Sequence, residues 1–188
     1  MHVGRWGTTA VGLLAAWAIG ACGASQPTYA EAAATETADT VCTLLRGWNN
    51  DLTEAFNATS AAITDDDDPA TSVDLLVSGF DEMIAIGEAH RADLEELDLP
   101  AVDEREALVD ELVAGADESL AVLEAEREEA AALPPIELDD QAGAIGGASV
   151  GLERATSVLE PSIGTYQDEA LRQAFVADEG CEHVIQPF

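Results

Sequence analysis

Residues 73–97 read VDLLVSGFDEMIAIGEAHRADLEEL. Within them Val73, Leu76, Phe80, Met83, Gly87, His90, Leu94 and Leu97 recur at alternating steps of three and four. A half-buried strand would alternate every two residues, whereas this pattern lays one apolar stripe along a helix. Asp68-Pro69 stands just ahead of the stretch. An aspartate there can cap the first free amides, and a proline suits the first helical position. Leu99-Pro100 punctuates the far end.

The same periodicity extends outward on both sides. Upstream, Ala38, Val41, Leu45, Trp48, Leu52, Phe56 and Ile63 share a face that runs into Asp65-Asp66-Asp67-Asp68. Downstream, Val109, Val113, Ala116, Leu120 and Leu123 form a third stripe, halted by Pro134-Pro135. A fourth carries Leu138, Ile145, Leu152 and Leu159 at sevens, with Ala148 and Ala155 between, and breaks at Glu160-Pro161. A short fifth helix follows, with Thr165 and Asp168 as a capping pair, Leu171, Ala174 and Phe175 on its apolar side, and Gly180 at its end. Four amphipathic helices joined by short connections bury their stripes together as an antiparallel four-helix bundle. Three-and-four spacing suits the shallow crossing of such a bundle. The expected fold is therefore all-α, with the short helix appended at its C-terminal end. Long hairpins pairing between chains are the rival, disfavoured because loops interrupt each segment after a few heptads.

The chain has 188 residues, 38 of them acidic, against seven arginines and no lysine. A surface this negative repels nucleic acid and anionic headgroups, which excludes nucleic-acid binding. It attracts cations and basic partners, and it also simply confers solubility. Hydrophobic content is 47% but aromatics are only 5%, so the core is built from Ala, Leu and Val, a composition that leans towards helix.

The N-terminal end has a different character. Arg5 gives a positive start, and VGLLAAWAI over residues 11–19 is an uncharged core of nine residues. That is far short of the roughly 20 needed to span a bilayer, but it fits a secretory leader. The leader closes on Ile19-Gly20-Ala21-Cys22, which resembles the lipobox of bacterial lipoproteins. The resemblance covers the leader alone. It implies cleavage before Cys22 and transfer of lipid, palmitate among its acyl chains, to the Cys22 thiol. It also implies an exported protein anchored on the outer side of the cytoplasmic membrane or elsewhere in the cell envelope. Loss of Arg5 with the leader leaves six arginines against 38 acids, a formal −32. The expected organisation is a leader over residues 1–21, a lipidated flexible tether over 22–36, and a helical domain over 37–188.

With Cys22 carrying lipid, Cys42 and Cys181 remain as an even pair in an oxidising compartment, so a disulfide between them is expected. In an up-down-up-down bundle the start of the first helix and the end of the fourth lie at the same end, which suits that pairing.

Candidate sites are few. His90 lies on the stripe of the second helix, where a bundle metal ligand would stand. Glu88-Ala89-His90 lacks the Glu-x-x-His spacing, so a half-buried structural histidine is the plainer reading and no metal is assigned. Asp65 to Asp68 lacks the alternating acids and glycine of a calcium loop. Gly143, Gly147 and Gly151 recur every four residues. Each costs roughly 0.5–1 kcal/mol relative to Ala inside a helix, so close helix approach or room for a ligand should compensate. The strip is expected to oppose Trp48 and Phe56, with Trp48, His90 and Gly147 lining any ligand site and Gly147→Leu harming stability or uptake. No nucleophile motif and no phosphate loop occurs, so neither catalysis nor a cofactor is expected. The leading expectation is a monomeric, non-enzymatic envelope lipoprotein that contacts the membrane through Cys22 and engages another envelope protein. The alternative is a small-molecule or cation-binding bundle acting as a sensor or scavenger subunit.

Overall fold

The computed structural model describes residues 28–64, 68–134, 138–158, 161 and 163–181, without the side chains of 138–145 and 163. The leader, Cys22, Asp65 to Asp67, Leu159, Glu160 and the C-terminal tail lie outside the described residues, as do the side chains of Leu138, Gly143 and Ile145. The described chain is a helical bundle with no strand. Its helices are α1 (Tyr29–Ala62), α2 (Pro69–Glu95), α3 (Arg105–Ala132), α4 (Leu138–Ser157) and α5 (Glu169–Ala177). Single 3-10 turns at Ile163–Thr165 and Glu179–Cys181 flank α5.

α1 starts within the stretch expected to be a tether. Thr28 and Glu31 form a reciprocal capping box: the Glu31 amide donates to Thr28 Oγ1 at 3.3 Å and the Thr28 amide donates to Glu31 at 2.6 Å. Residues 29–36 are thus helix, and Ala33 and Ala34 are buried. Alanine is the best helix former, so a run of small residues behind a capping box extends the helix instead of loosening it.

Asp68 caps α2 as its position implies, accepting from the amides of Ala70 and Thr71 at 3.1 and 3.2 Å. The Thr71 hydroxyl also donates to it, and these bonds hold its carboxyl below the usual range. α5 is capped by Asp168, not by the expected Thr165. Asp168 accepts from Ala170 and Leu171, and the helix stops at Asp178 instead of Gly180. The aspartate reaches two amides at once, which explains why it takes the cap.

α2 packs on α1 and α3, α4 on α3, and α5 on α1. Arg91 of α2 meets Asp117 of α3, and Arg127 of α3 meets Asp81 of α2, so early residues of one helix face late residues of the other. Tyr166 and the 166–168 segment then reach the start of α3. The Tyr166 hydroxyl donates to Glu111, and the amides of Gln167 and Asp168 donate to Glu104 at 2.7 and 2.9 Å. Burial first, and then the Glu111 carboxylate, push the Tyr166 hydroxyl well above its ordinary pKa, so it remains a donor. Glu104 has φ 66°, a left-handed conformation uncommon outside glycine. It provides no side-chain cap for α3 and instead turns its carboxylate onto the chain entering α5.

The core follows the stripes with one shift. Trp48, Leu52, Phe80, Met83 and Leu94 are buried as their spacing predicts. On α3 the buried line is Leu108, Leu112, Ala116, Ser119 and Leu123, while Val109, Val113 and Leu120 are only half-buried. α3 packs against both α2 and α4, so its apolar face is wider than one stripe, and its centre falls on the two leucines.

α1 presses closely on α2 at Gly79. A Cβ there would lie 2.8 Å from Thr59 Cβ and closer still to the other Thr59 side-chain atoms. Thr59 is buried and its hydroxyl donates to the Ala55 carbonyl at 2.9 Å, so it has little freedom to yield. Gly79→Ala should therefore lower stability by about 1–3 kcal/mol through overpacking, although alanine favours helix by about 1 kcal/mol. Urea unfolding of the variant tests this, and Thr59→Ala in the same chain should recover part of the loss. A Gly79→Ala protein more stable than the parent would show that the two backbones have room between them.

A candidate polar site in the core

Trp48 of α1 is fully buried and His90 of α2 half-buried, and the structure brings them together. Their rings stack with centroids 5.5 Å apart and planes 6° from parallel. His90 Nε2 lies 2.8 Å from the Asp51 carboxylate, one turn along α1 from Trp48. An ionised carboxylate only accepts, so the Nε2 atom carries the proton and donates. The His90 side chain is 17% exposed and Asp51 53%, which places the pair between the core and solvent.

Gly87 lies one turn before His90. A Cβ there would come 2.7 Å from Leu120 Cδ2 and 3.7 Å from the Trp48 ring. Gly87 therefore lets α1 and α3 side chains reach the surface of α2 at one level.

Three buried polar atoms in this region have no hydrogen-bond partner among the described residues: Trp48 Nε1, His90 Nδ1 and Ser119 Oγ. Thr37 Oγ1 is a fourth, about three turns earlier on α1. A buried polar group left unpaired costs about 1–3 kcal/mol, and most such groups in native proteins find a partner.

Of the three residues expected to line a ligand site, Trp48 and His90 meet and Gly147 does not join them. Gly147 is exposed on α4, and an added Cβ there meets nothing within 4 Å. The expected close seam against Trp48 and Phe56 is therefore corrected at this position. The close contact belongs to Gly151, which is buried with Glu126 across it; an added Cβ would come 2.5 Å from the Glu126 carboxyl carbon. Gly147→Ala should accordingly raise stability by about 0.5–1 kcal/mol, the ordinary helix gain. A thermal melt reads it, and a lowered midpoint would reinstate the seam.

Asp51 joins the pair through His90, and Ser119 is buried on α3 at about the same level. In the sequence Asp51 is marked only by standing in the polar run Asn49-Asn50-Asp51, three places on from Trp48 and so on an adjoining face. Ser119 left a fainter signal, a small hydroxyl residue three places past Ala116 on the buried line of α3. No group of three or more His, Cys, Asp or Glu side chains is arranged to hold a metal among the described residues. No helix among them is long and apolar enough to cross a membrane.

Cys42 and Cys181 form a disulfide, with Cα atoms 5.1 Å apart and a sequence separation of 139. Both are buried. Five of the six arginines among the described residues form ion pairs with the chain's own acids: Arg91, Arg105, Arg127, Arg154 and Arg172. Little unpaired positive charge is left on an otherwise acidic surface. No protein-family model, no curated protein and no solved structure matches the chain.

Proposed function

We propose that this chain is an exported bacterial lipoprotein, held to the membrane by lipid on Cys22, that works in the cell envelope by contact and not by catalysis. The observation that carries the reading is the Cys42–Cys181 bond. Disulfides persist where oxidants reach them and are rare in a reducing cytosol. Together with the leader and lipobox, this gives each of the three cysteines a role that export supplies: one for the anchor and two for the staple.

The working body in this reading is a monomeric, antiparallel four-helix arrangement in which α4 and α5 share the fourth side. α3 meets α4 along its later half and the segment entering α5 along its earlier half, which supports that layout. The acidic surface, with most of its arginines already paired internally, suits a basic face on another envelope protein and repels nucleic acid.

Mass spectrometry of the protein from its native membrane tests the reading. The expected mass is that of residues 22–188 plus acyl groups, with no alkylation of Cys42 or Cys181 before reduction. Cys22→Ser should release the protein from the membrane fraction. A chain still beginning at Met1, unacylated and with both core cysteines alkylated, would overturn it.

A further inference from the structure

Three contacts bring the residues that carry the unpaired polar atoms to one level of the bundle. Asp117 of α3 meets Arg91, and Leu120 lies against Gly87. Ser119 stands between these two contacts in the sequence and is fully buried. It therefore stands level with the stretch 87–91 that contains His90. Trp48 reaches the same level, since its ring stacks on His90 and lies against Gly87. One group from each of α1, α2 and α3 thus presents an unsatisfied polar atom at the same height in the core.

The chemistry of the three atoms defines what fits among them. Trp48 Nε1 can only donate. In the neutral form of His90 the one ring proton sits at Nε2 against Asp51, and Nδ1 can then only accept. The Ser119 hydroxyl can do either. An anion cannot donate to His90, and an ammonium cannot accept from Trp48. A hydroxyl does both, and three partners is the usual complement of a buried water.

We propose that this layer is a binding site for one hydroxyl group from outside the chain, either a water or the hydroxyl of a small alcohol or polyol. It accepts from Trp48 Nε1, donates to His90 Nδ1 and pairs with Ser119 Oγ. His90 and Asp51 form its solvent-side wall, so exchange with solvent passes beside the imidazole. The proposal does not depend on export or lipidation.

Nuclear magnetic resonance of the 15N-labelled, disulfide-intact chain tests it. The Trp48 indole N–H is assigned by its loss in Trp48→Phe. The expected result is a through-space cross-peak from that proton to a proton that is not part of the chain. A cross-peak at the water frequency alone identifies water, and cross-peaks to foreign carbon-bound protons identify an organic hydroxyl; either supports the site. Ser119→Ala and His90→Phe should each weaken the cross-peak and lower the unfolding midpoint, the second while keeping a ring against Trp48. An indole proton with no foreign neighbour, together with a Ser119→Ala chain at least as stable as the parent, would overturn the proposal.

Discussion

Opening the Cys42–Cys181 bond should lower the unfolding free energy by about 5 kcal/mol, the chain-entropy value for a closed loop of this length. The bond spans 139 positions, so it removes a large share of the freedom of the unfolded chain. Small domains have about 5–15 kcal/mol of stability in all, so the reduced protein should sit near the edge of unfolding. Both sulfurs lie in the interior, and the alanine pair Cys42→Ala/Cys181→Ala avoids leaving buried hydroxyls there. Urea unfolding of oxidised, reduced and double-alanine proteins would measure the effect. α5 should be the first element to loosen, since the bond holds the turn just after it onto α1. Its remaining ties are the buried Leu171 and Phe175 and the Glu104 carboxylate at its entry. A difference of less than about 1 kcal/mol would mean that the reduced chain stays nearly as constrained as the oxidised one, contrary to that model.

The second large effect should come from Trp48→Ala, at about 3–5 kcal/mol. This indole is among the largest fully buried side chains and lies where α1 meets α2, against both Gly87 and His90. Removing it leaves a void that neighbouring helices cannot readily fill, and His90 loses its stacking partner. Trp48→Phe should cost much less, because it keeps an aromatic ring against the imidazole. Circular dichroism in urea would compare the two, and equal losses would show that the ring contact adds nothing beyond the N–H group. Trp6 and Trp17 precede Cys22, so in a chain cleaved before Cys22 Trp48 would be the lone tryptophan. Its fluorescence would then report this layer alone.

Much of this architecture could be read from spacing. The stripe from Leu76 through Phe80 and Met83 to Leu94 is buried as its period requires, and Asp68-Pro69 starts α2. The cysteine pair followed from counting, once Cys22 is set aside for lipid. Small residues misled because they carry little pattern. Ala33 and Ala34 looked like tether, yet the Thr28–Glu31 box was there to be read and extends the helix over them. The regular glycines of α4 drew attention away from Gly79, an isolated glycine whose importance depends on Thr59 across the interface. Periodicity tells which face of a helix is buried, but not which neighbour presses closest. For the same reason Trp48 and His90 could be named as site residues while Ser119 could not. Its burial depends on the helices packed around α3, which spacing along α3 does not name.

The bond between Cys42 and Cys181 also sets the path of mechanical load. A pull applied to the two ends of the chain arrives at these two residues and passes directly through the sulfur bridge. The intervening polypeptide, which holds most of α1 and all of α2, α3, α4 and α5, carries no tension. Under such a force, of the described helices only the segment of α1 from Tyr29 up to Cys42 can peel away, while the rest hang slack and folded behind a covalent shunt.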